Sequence, residues 1–239
     1  MTTPTQASDS TNSSAQRLNK FVALALGVSR RQADELIEQG TVTVNDQPAK
    51  LGQRITTIDI IRHGNKRLTA QTHRLILLHK PVGYLCSRAS QGGVPTIYEL
   101  LPTSLHHLKP VGRLDKDSSG LILLTNDGDF AHQMTHPSFY KIKRYLVTLD
   151  QPLQPLHRQM INDFGVQLPD GPSRLTLERQ HEGDDRRWIV QMSEGRNRQI
   201  RRTFTALGYT VTKLHRTDFG NYTLDGIKRG EFTEGPLTT

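Results

Sequence analysis

The chain has 239 residues, which is enough for one sizeable domain and a smaller one. Its 31 Lys and Arg residues outnumber 23 Asp and Glu, and the resulting formal net charge of +8 favours either a polyanionic partner or a well-solvated basic surface. The single cysteine, Cys86, excludes an internal disulfide and a Cys-x-x-Cys zinc site, and it favours a reducing compartment.

The first fifteen residues are mostly Thr, Ser, Asn and Gln, and they lack the basic start and apolar core of a secretory signal. We expect a disordered tail there. The apolar stretch at residues 21–28 is far shorter than the roughly 18 residues that a membrane span needs. The sequence therefore predicts a soluble, cytoplasmic protein with no membrane partner.

Two helices are predicted next. Apolar residues recur at helical spacing from Leu18, and Gly27 ends this first helix. Ser29 and Gln32 form a capping box at the start of the second helix, and Gly40 supplies its left-handed exit.

Short strands are predicted after the helices, at residues 41–44 and 58–61, with a turn at Asn45-Asp46. Residues 63–72 are polar and lack periodicity, as expected of a linker. The predicted organisation is a tail at 1–15, a small module at 16–62, this linker, and a larger domain at 73–239.

The small module carries basic side chains near its helix starts: Arg17, Lys20, Arg30 and Arg31. By composition alone they could equally form a solvated face or bind RNA. The stretch RLNKFVALALGVSRRQADELIEQGTVTVN resembles the RNA-binding module named after small-subunit ribosomal protein S4. The resemblance implies that these residues bind RNA, with the phosphate contacts on the second helix and the loop after it.

The larger domain has more predicted strands than helices. Short apolar runs predict buried strands at 75–78, 120–125 and 145–149, a brief helix is expected at 96–101, and further strands at 166–168, 174–177, 188–192 and 210–214. This pattern predicts an α+β fold on a mixed, mostly antiparallel sheet with few helices.

The segment GRLDKDSSGL at residues 112–121 is a polar loop that runs into a buried strand, and loops of this kind often carry function. Asp115, Asp117, Ser119 and Gly120 occupy the first, third, fifth and sixth places of a calcium loop, but Asn126 stands where the bidentate Glu belongs. Alone, Asp115 could equally serve only to cap a turn.

The segment SEGRNRQIRR places four arginines within seven residues at a predicted helix start, in a helix expected to run to Gly208. At about 100° per residue, Arg198 and Arg202 point away from the apolar face formed by Ile200, Phe204 and Leu207. Phosphate contacts are favoured for them over a solvated face. Arg201 lies beside the apolar face, so we expect it to be partly buried and to need an anionic partner.

Other candidates are weaker. Tyr145 opens a strand, where a tyrosine usually serves packing. His132 and His136 are four residues apart, but Pro137 follows and no third metal ligand is evident, so no metal site is predicted. No P-loop and no Gly-rich dinucleotide motif occurs in the sequence.

Together, VGRLDKDSSGLILLTNDGDFAHQMTHP, KIKRYLVTL and SEGRNRQIRRTFTALGYTVTKLHR resemble the pseudouridine synthases that modify single uridines in ribosomal RNA and carry an S4-like module. The resemblance extends over nearly everything from Arg17 onward. It implies a cofactor-free isomerisation that breaks the N-glycosidic bond of a uridine and rejoins the uracil to the ribose through carbon five. The implied partner is ribosomal RNA or a pre-ribosomal particle, with a slight preference for the large subunit, and we expect a monomer.

The resemblance also implies roles for individual residues. Asp115 matches the essential aspartate, Tyr145 the active-site tyrosine, and Arg201 the arginine that pairs with the aspartate. Arg113 matches the residue that fills the gap left by the flipped nucleotide, and Arg196, Arg198 and Arg202 belong to the implied RNA-binding surface. Thr203 departs from the Met that the family often has after the paired arginines, and it is predicted to face the helix interior.

The chemistry suits these residue types. Asp115 could act as a nucleophile on the ribose or the uracil, or as a base in a glycal route, and the sequence leaves these alternatives open. The ring of Tyr145 can stack on the extruded uracil, and its hydroxyl can help to remove the proton from carbon five. The alternative hypothesis is a non-catalytic RNA-binding or ribosome-assembly factor that uses the same basic surfaces.

Overall fold

The computed structural model describes residues 15–238, so the tail predicted at 1–15 lies almost wholly outside the described residues. The chain forms two compact units that divide between Thr72 and His73. Within the described part of the chain, no helix is long and apolar enough to cross a membrane.

The N-terminal unit contains two helices and two small sheets. Its elements are β1 (Gln16–Arg17), α1 (Leu18–Leu26), α2 (Arg30–Glu38), β2 (Val42–Val44), β3 (Gln47–Pro48), β4 (Arg54–Ile55), β5 (Ile61–His63) and β6 (Lys66–Arg67). Strand β1 pairs with β4, and the other four strands pair in the order β3-β2-β5-β6.

Local sequence signals account for these elements. Gly27 ends α1 with φ of 70°, and the predicted capping box of Ser29 and Gln32 is present at the start of α2. Asn45 and Asp46 both have positive φ, as a tight hairpin turn between β2 and β3 requires. The two helices, the strand that follows them and the turn are thereby confirmed.

The linker prediction for residues 63–72 is wrong in its first half. His63 belongs to β5, which pairs with β6, and Leu68 is buried in the core of the module. The strand predicted at 58–61 begins only at Ile61, and Ile58 is exposed. A strand of two or three residues is too short to show the alternation of apolar and polar residues by which strands are recognised in a sequence.

Within the described residues, the C-terminal unit has eleven strands, and nine of them form one sheet. Its strands are β7 (Leu75–Lys80), β8 (Lys109–Val111), β9 (Ser119–Thr125), β10 (Lys143–Leu149), β11 (Val166–Leu168), β12 (Gly171–Ser173), β13 (Thr176–Arg179), β14 (Arg187–Met192), β15 (Val211–Phe219), β16 (Tyr222–Thr223) and β17 (Phe232–Glu234). The main order is β13-β14-β10-β15-β9-β7-β17, β11 and β12 form a separate hairpin, and only the β9–β15 pair is parallel. The predicted α+β fold on a mostly antiparallel sheet is confirmed.

Few helices accompany this sheet: α3 (Gly128–Thr135), α4 (Pro155–Gln159), α5 (Gln199–Thr205), a π-helical turn at Met160–Phe164, and 3-10 turns that include Ile97–Leu100. The helix predicted from residue 193 to Gly208 is therefore shorter than expected. Arg198 has φ of 47°, which an α-helix does not accommodate, so residues 193–198 form a loop before α5 begins.

Both faces of the sheet are covered by apolar side chains. Along β7, Ile76 and Leu78 join the larger core, whereas Leu75 and Leu77 join the smaller core on the other face. This alternation explains why the strand reads as a continuous apolar run.

The parallel contact between β9 and β15 depends on Gly120. A Cβ at this position would lie 2.1 Å from the carbonyl oxygen of Arg216, and the residue has φ of 113°. No residue with a side chain fits here, so Gly120 fixes how the loop that precedes β9 meets β15.

Candidate active site

The polar loop at residues 112–118 connects β8 to β9, and the backbone around it is held by a buried lysine. Lys80, at the end of β7, donates from Nζ to the carbonyl oxygens of Pro81 (3.0 Å), Asp115 (3.0 Å) and Ser118 (2.6 Å). Because its burial disfavours the charged form, the pKa of Lys80 is lowered. A side chain 35 positions away from Asp115 therefore sets the path of the loop.

A thiol supports the same loop. The amide of Leu114 donates to Sγ of Cys86 at 3.4 Å, and burial raises the pKa of Cys86. The cysteine is thus a neutral hydrogen-bond acceptor behind Asp115. The sequence alone gave no sign of this contact of Cys86.

Two arginines from the segment before and within α5 meet the carboxylates of the loop. Arg198 lies 3.4 Å from Oδ2 of Asp115 and donates to both carboxylate oxygens of Asp117 at 3.2 Å. Arg201 lies 3.4 Å from Oδ2 of Asp117. Burial alone would raise the pKa of Asp117, but the hydrogen bond from Arg198 and the two guanidinium charges outweigh it and hold the pKa below the usual value.

The pairing of Arg201 with Asp115 expected from the sequence differs from the arrangement in the structure. Arg201 donates to the carbonyl oxygens of Val211 (2.7 Å) and Asp117 (3.0 Å), so it joins β15 to the loop. Arg198 is the arginine in ion-pair contact with Asp115. Its left-handed backbone places it before the helix begins, opposite the loop, which helical geometry could not reveal.

The burial of Arg201 is as predicted, since only 11 % of its side chain is exposed. Ile200 and Phe204 are also buried, on the face predicted for them. Thr203 is fully buried, with its hydroxyl within hydrogen-bond distance of Ser173 Oγ (2.7 Å) and the Gln199 carbonyl oxygen (2.9 Å). The threonine is thus accommodated by polar partners inside the helix packing.

Arg196 and Arg202 bind the protein itself. Arg202 donates to both carboxylate oxygens of Asp170 at 2.9 and 2.7 Å. Arg196 donates to Oδ1 of Asp170 and to the carbonyl oxygens of Gly171 and Pro172. Both arginines therefore attach the 193–202 segment to the β11–β12 hairpin, and the phosphate contacts expected for them stay a prediction.

Asp115 and Tyr145 line one cavity of about 580 Å³. Arg113 and Arg198 lie at the same cavity, and apolar side chains of Met192, Ile200, Leu214 and Phe219 complete its wall. The Asp115 side chain is 31 % exposed, so a ligand can reach the carboxylate. A cavity with an apolar wall, a tyrosine and an accessible carboxylate can hold a planar ring close to that carboxylate.

Sequence reasoning missed two further basic residues of this cavity, Lys143 and Arg216, which are both buried. Lys143 lies two residues before Tyr145 on β10, and alternate residues of a strand share a face. That spacing could have identified Lys143. Arg216 carried no comparable signal, because its position depends on the pairing of β15 with β9 and β10.

The other candidates from the sequence are the histidine pair and the basic residues of the N-terminal unit. The rings of His132 and His136 are in tilted contact at a centroid distance of 4.7 Å, and residues 15–238 contain no group of three or more side chains placed to hold a metal ion. In the N-terminal unit Arg17, Arg30 and Arg31 are exposed, whereas Lys20 is half-buried.

Comparison with known proteins gives two family matches. Residues 74–206 match the model of the RNA pseudouridylate synthase family, and residues 16–61 match the S4 domain. The chain is 37 % identical over 224 residues to the ribosomal small subunit pseudouridine synthase A of Pasteurella multocida (strain Pm70), which covers 90 % of this chain and 94 % of the relative.

A second relative is the ribosomal large subunit pseudouridine synthase B of Bacillus subtilis (strain 168), which is 34 % identical over 92 % of this chain and 91 % of its own. Among solved structures, the chain is similar to a crystal structure of a pseudouridylate synthase, with a TM-score of 0.66 and 35 % identity. That match covers 92 % of this chain and 96 % of the other.

Proposed function

The chain belongs to the RNA pseudouridylate synthase family, and we propose that it converts a uridine of ribosomal RNA to pseudouridine in the cavity lined by Asp115 and Tyr145. The observation that carries this proposal is the placement of an accessible carboxylate and a tyrosine on one cavity with an apolar wall. The names of the two relatives divide between the small and large ribosomal subunits, which supports ribosomal RNA as the substrate class.

The carboxylate of Asp115 is the proposed catalytic group. Its carboxylate attacks C1′ of the ribose, adds to C6 of the uracil, or removes the C2′ proton to form a glycal. In each route the bond from C1′ to N1 breaks, a bond from C1′ to C5 forms, and the C5 proton is lost while N1 gains one. The reaction is therefore an isomerisation with no net change in atoms or electrons.

We infer that Tyr145 stacks on the uracil, and its position in the same cavity wall as Met192 and Leu214 supports this role. A stacked base in a duplex cannot reach this cavity, so the target nucleotide flips out at a cost of a few kcal/mol. Arg113 is exposed beside Asp115 and is the residue proposed to enter the gap. Phosphate contacts to the basic surface offset the cost of flipping.

The direct test measures tritium released from C5-labelled uridine in transcripts of small- and large-subunit ribosomal RNA. Wild type should release label from one of them, and Asp115→Asn should abolish release. Asp163→Asn is the matched control, since Asp163 is exposed and lies outside the cavity lining. Release that persists in Asp115→Asn would reject the assignment of the carboxylate. Binding of either RNA without any release would favour the non-catalytic assembly factor.

For the N-terminal unit we propose RNA binding through Arg17, Arg30 and Arg31. Replacing all three by Gln in the full chain should lower the slope of log K against log salt by roughly 2 to 3, since each lost phosphate contact removes about 0.9. Circular dichroism checks that the fold is kept. An unchanged slope would show that these side chains do not contact phosphates.

A further inference from the structure

Among residues 15–238, the buried side chains that carry a formal charge are all cations: Lys80, Lys143 and Arg216. None of the three forms an ion pair with a carboxylate of the described chain. A charge taken out of water without a countercharge costs several kcal/mol. A ligand that brings negative charge close to these buried cations would therefore be bound favourably.

Two of these cations flank Tyr145 at the wall of the cavity. Lys143 lies on β10, and Arg216 on β15 is the register partner of Tyr145. The Arg216 guanidinium carbon is 4.9 Å from the centre of the Phe219 ring, and Nζ of Lys143 is 5.1 Å from the same centre. Both charges thus share the apolar wall proposed to hold the uracil.

The hydrogen bonds of the two cations differ. Nζ of Lys143 donates to the carbonyl oxygens of Lys141, Ser193 and Glu194 at 3.0 to 3.4 Å, which uses its three protons. Arg216 donates from Nε to the carbonyl oxygen of Leu121 at 2.7 Å, but its buried Nη2 has no hydrogen-bond partner in the described chain. Arg216 therefore retains a charged donor that no group of the described chain satisfies, and an acceptor atom of a ligand could satisfy it.

We propose that Arg216 stabilises the negative charge that develops on the uracil ring during the isomerisation; this inference rests on the proposed function. When C1′ is attacked or a glycal forms, the electron pair of the C1′–N1 bond leaves on the uracil and spreads over N1 and the carbonyl oxygens. When C6 is attacked instead, the electrons move to the C4 carbonyl oxygen. In all three routes negative charge develops on the uracil, and a preorganised donor in a low-dielectric site stabilises such a charge strongly.

A phosphate is the other anion that an RNA brings. The surroundings of Arg216 favour the base, because Leu214, Phe219 and Tyr145 present carbon surfaces. A phosphodiester is strongly hydrated and suits an exposed cation such as Arg113. The two sources of charge predict different kinetics.

The first experiment compares Arg216→Met with Arg216→Lys in single-turnover reactions with enzyme in excess. Loss of one preorganised donor should slow Arg216→Met by about 10²–10³-fold. The RNA dissociation constant should change by less than about threefold, and Arg216→Lys should recover at least tenfold of the rate, because it keeps the charge. A loss seen in the dissociation constant instead of the rate would assign Arg216 to a phosphate and overturn the inference.

The second experiment varies the substrate, so that misfolding cannot imitate the result. Fluorine at C5 makes uracil a better anion, so RNA with 5-fluorouridine at the target should depend less on Arg216. The rate on this RNA is measured as the disappearance of 5-fluorouridine from nuclease digests. We expect the factor by which Arg216→Met slows the reaction to be about fivefold smaller with 5-fluorouridine than with uridine. A variant that is merely damaged loses the same factor on both substrates, and equal factors would overturn the inference.

Arg144→Met is the matched control. Arg144 adjoins Tyr145 on β10, but neighbouring residues of a strand point to opposite faces. Its effect should be the same on both substrates. A wild type that makes no pseudouridine refutes the proposed function itself, whereas an active wild type with equal Arg216→Met penalties refutes only the role of Arg216.

Discussion

Two groups of basic side chains in the C-terminal unit differ in whether they form ion pairs with carboxylates. The first group, the paired arginines, forms ion pairs with aspartates and consists of Arg196, Arg198, Arg201 and Arg202. The buried cations are Lys80, Lys143 and Arg216, and each donates to carbonyl oxygens. The paired arginines join segments of the chain by ion pairs, whereas none of the buried cations forms an ion pair within residues 15–238.

Beyond the Asp115 and Arg216 variants, the largest effect is expected where a buried cation also shapes the loop. Lys80→Met leaves three carbonyl oxygens of that region without their donor, including that of Asp115. Since a displacement of about 1 Å can cost 10²-fold in rate, single-turnover activity should fall by about 100-fold or more. Lys116→Met, an exposed change in the same loop, is the control. Full activity in Lys80→Met would show that the ammonium group does not set the loop geometry.

Among the paired arginines, Arg201 should matter most. Arg201 contacts the carbonyl oxygens of Val211 and Asp117 with two nitrogens, and a lysine has only one. We therefore expect the single-turnover rate of Arg201→Lys to be about tenfold lower than that of wild type, and the rate of Arg201→Met to be lower still. The midpoint of thermal unfolding should fall in both variants. If Arg201→Lys retained the wild-type rate, a point charge would be sufficient and the two-sided contact would be irrelevant.

Because Lys143 is buried and forms no ion pair within residues 15–238, its burial should be visible in the pH dependence of stability. Burial, reinforced by the charge of Arg216 and opposed by Glu194, lowers the pKa of Lys143 from 10.5 to about 8. Between these values the unfolded chain binds more protons than the folded one, so the free energy of unfolding contributed by Lys143 rises with pH. Below pH 8 both states are protonated and this slope vanishes.

Urea unfolding of wild type and Lys143→Met between pH 7 and about 10 measures this slope. The difference between the two proteins should change in favour of wild type as the pH rises. Parallel curves would mean that the lysine keeps its ordinary pKa in the folded protein.

The smallest effect is expected at Asp170, an exposed carboxylate that pairs with two of these arginines. Asp170→Asn removes the ion pairs to Arg196 and Arg202, but the Asp170 side chain is 42 % exposed and the pairs are screened by water. We expect the thermal midpoint to move by less than about 2 °C and activity to stay within about twofold. A large loss of activity would show that the β11–β12 hairpin takes part in catalysis.

Local sequence signals determined much of this protein. The capping box at Ser29, the exit at Gly27 and the apolar runs of β7 and β9 each depend on residues a few positions apart, and such interactions are the same in any fold. The loop around Asp115 and the burial of Arg201 were also accessible, through composition and helical spacing.

Only the tertiary structure decided which charges meet. Arg198 reaches Asp115 across 83 positions because a left-handed residue turns the chain before α5, and Arg201 reaches β15 and Asp117 instead. Lys80 and Arg216 are placed by strand pairing, which no local pattern specifies. Pairing over such separations depends on the whole sheet being assembled, so the sequence could identify the loop around Asp115 as a candidate but not the cations around it.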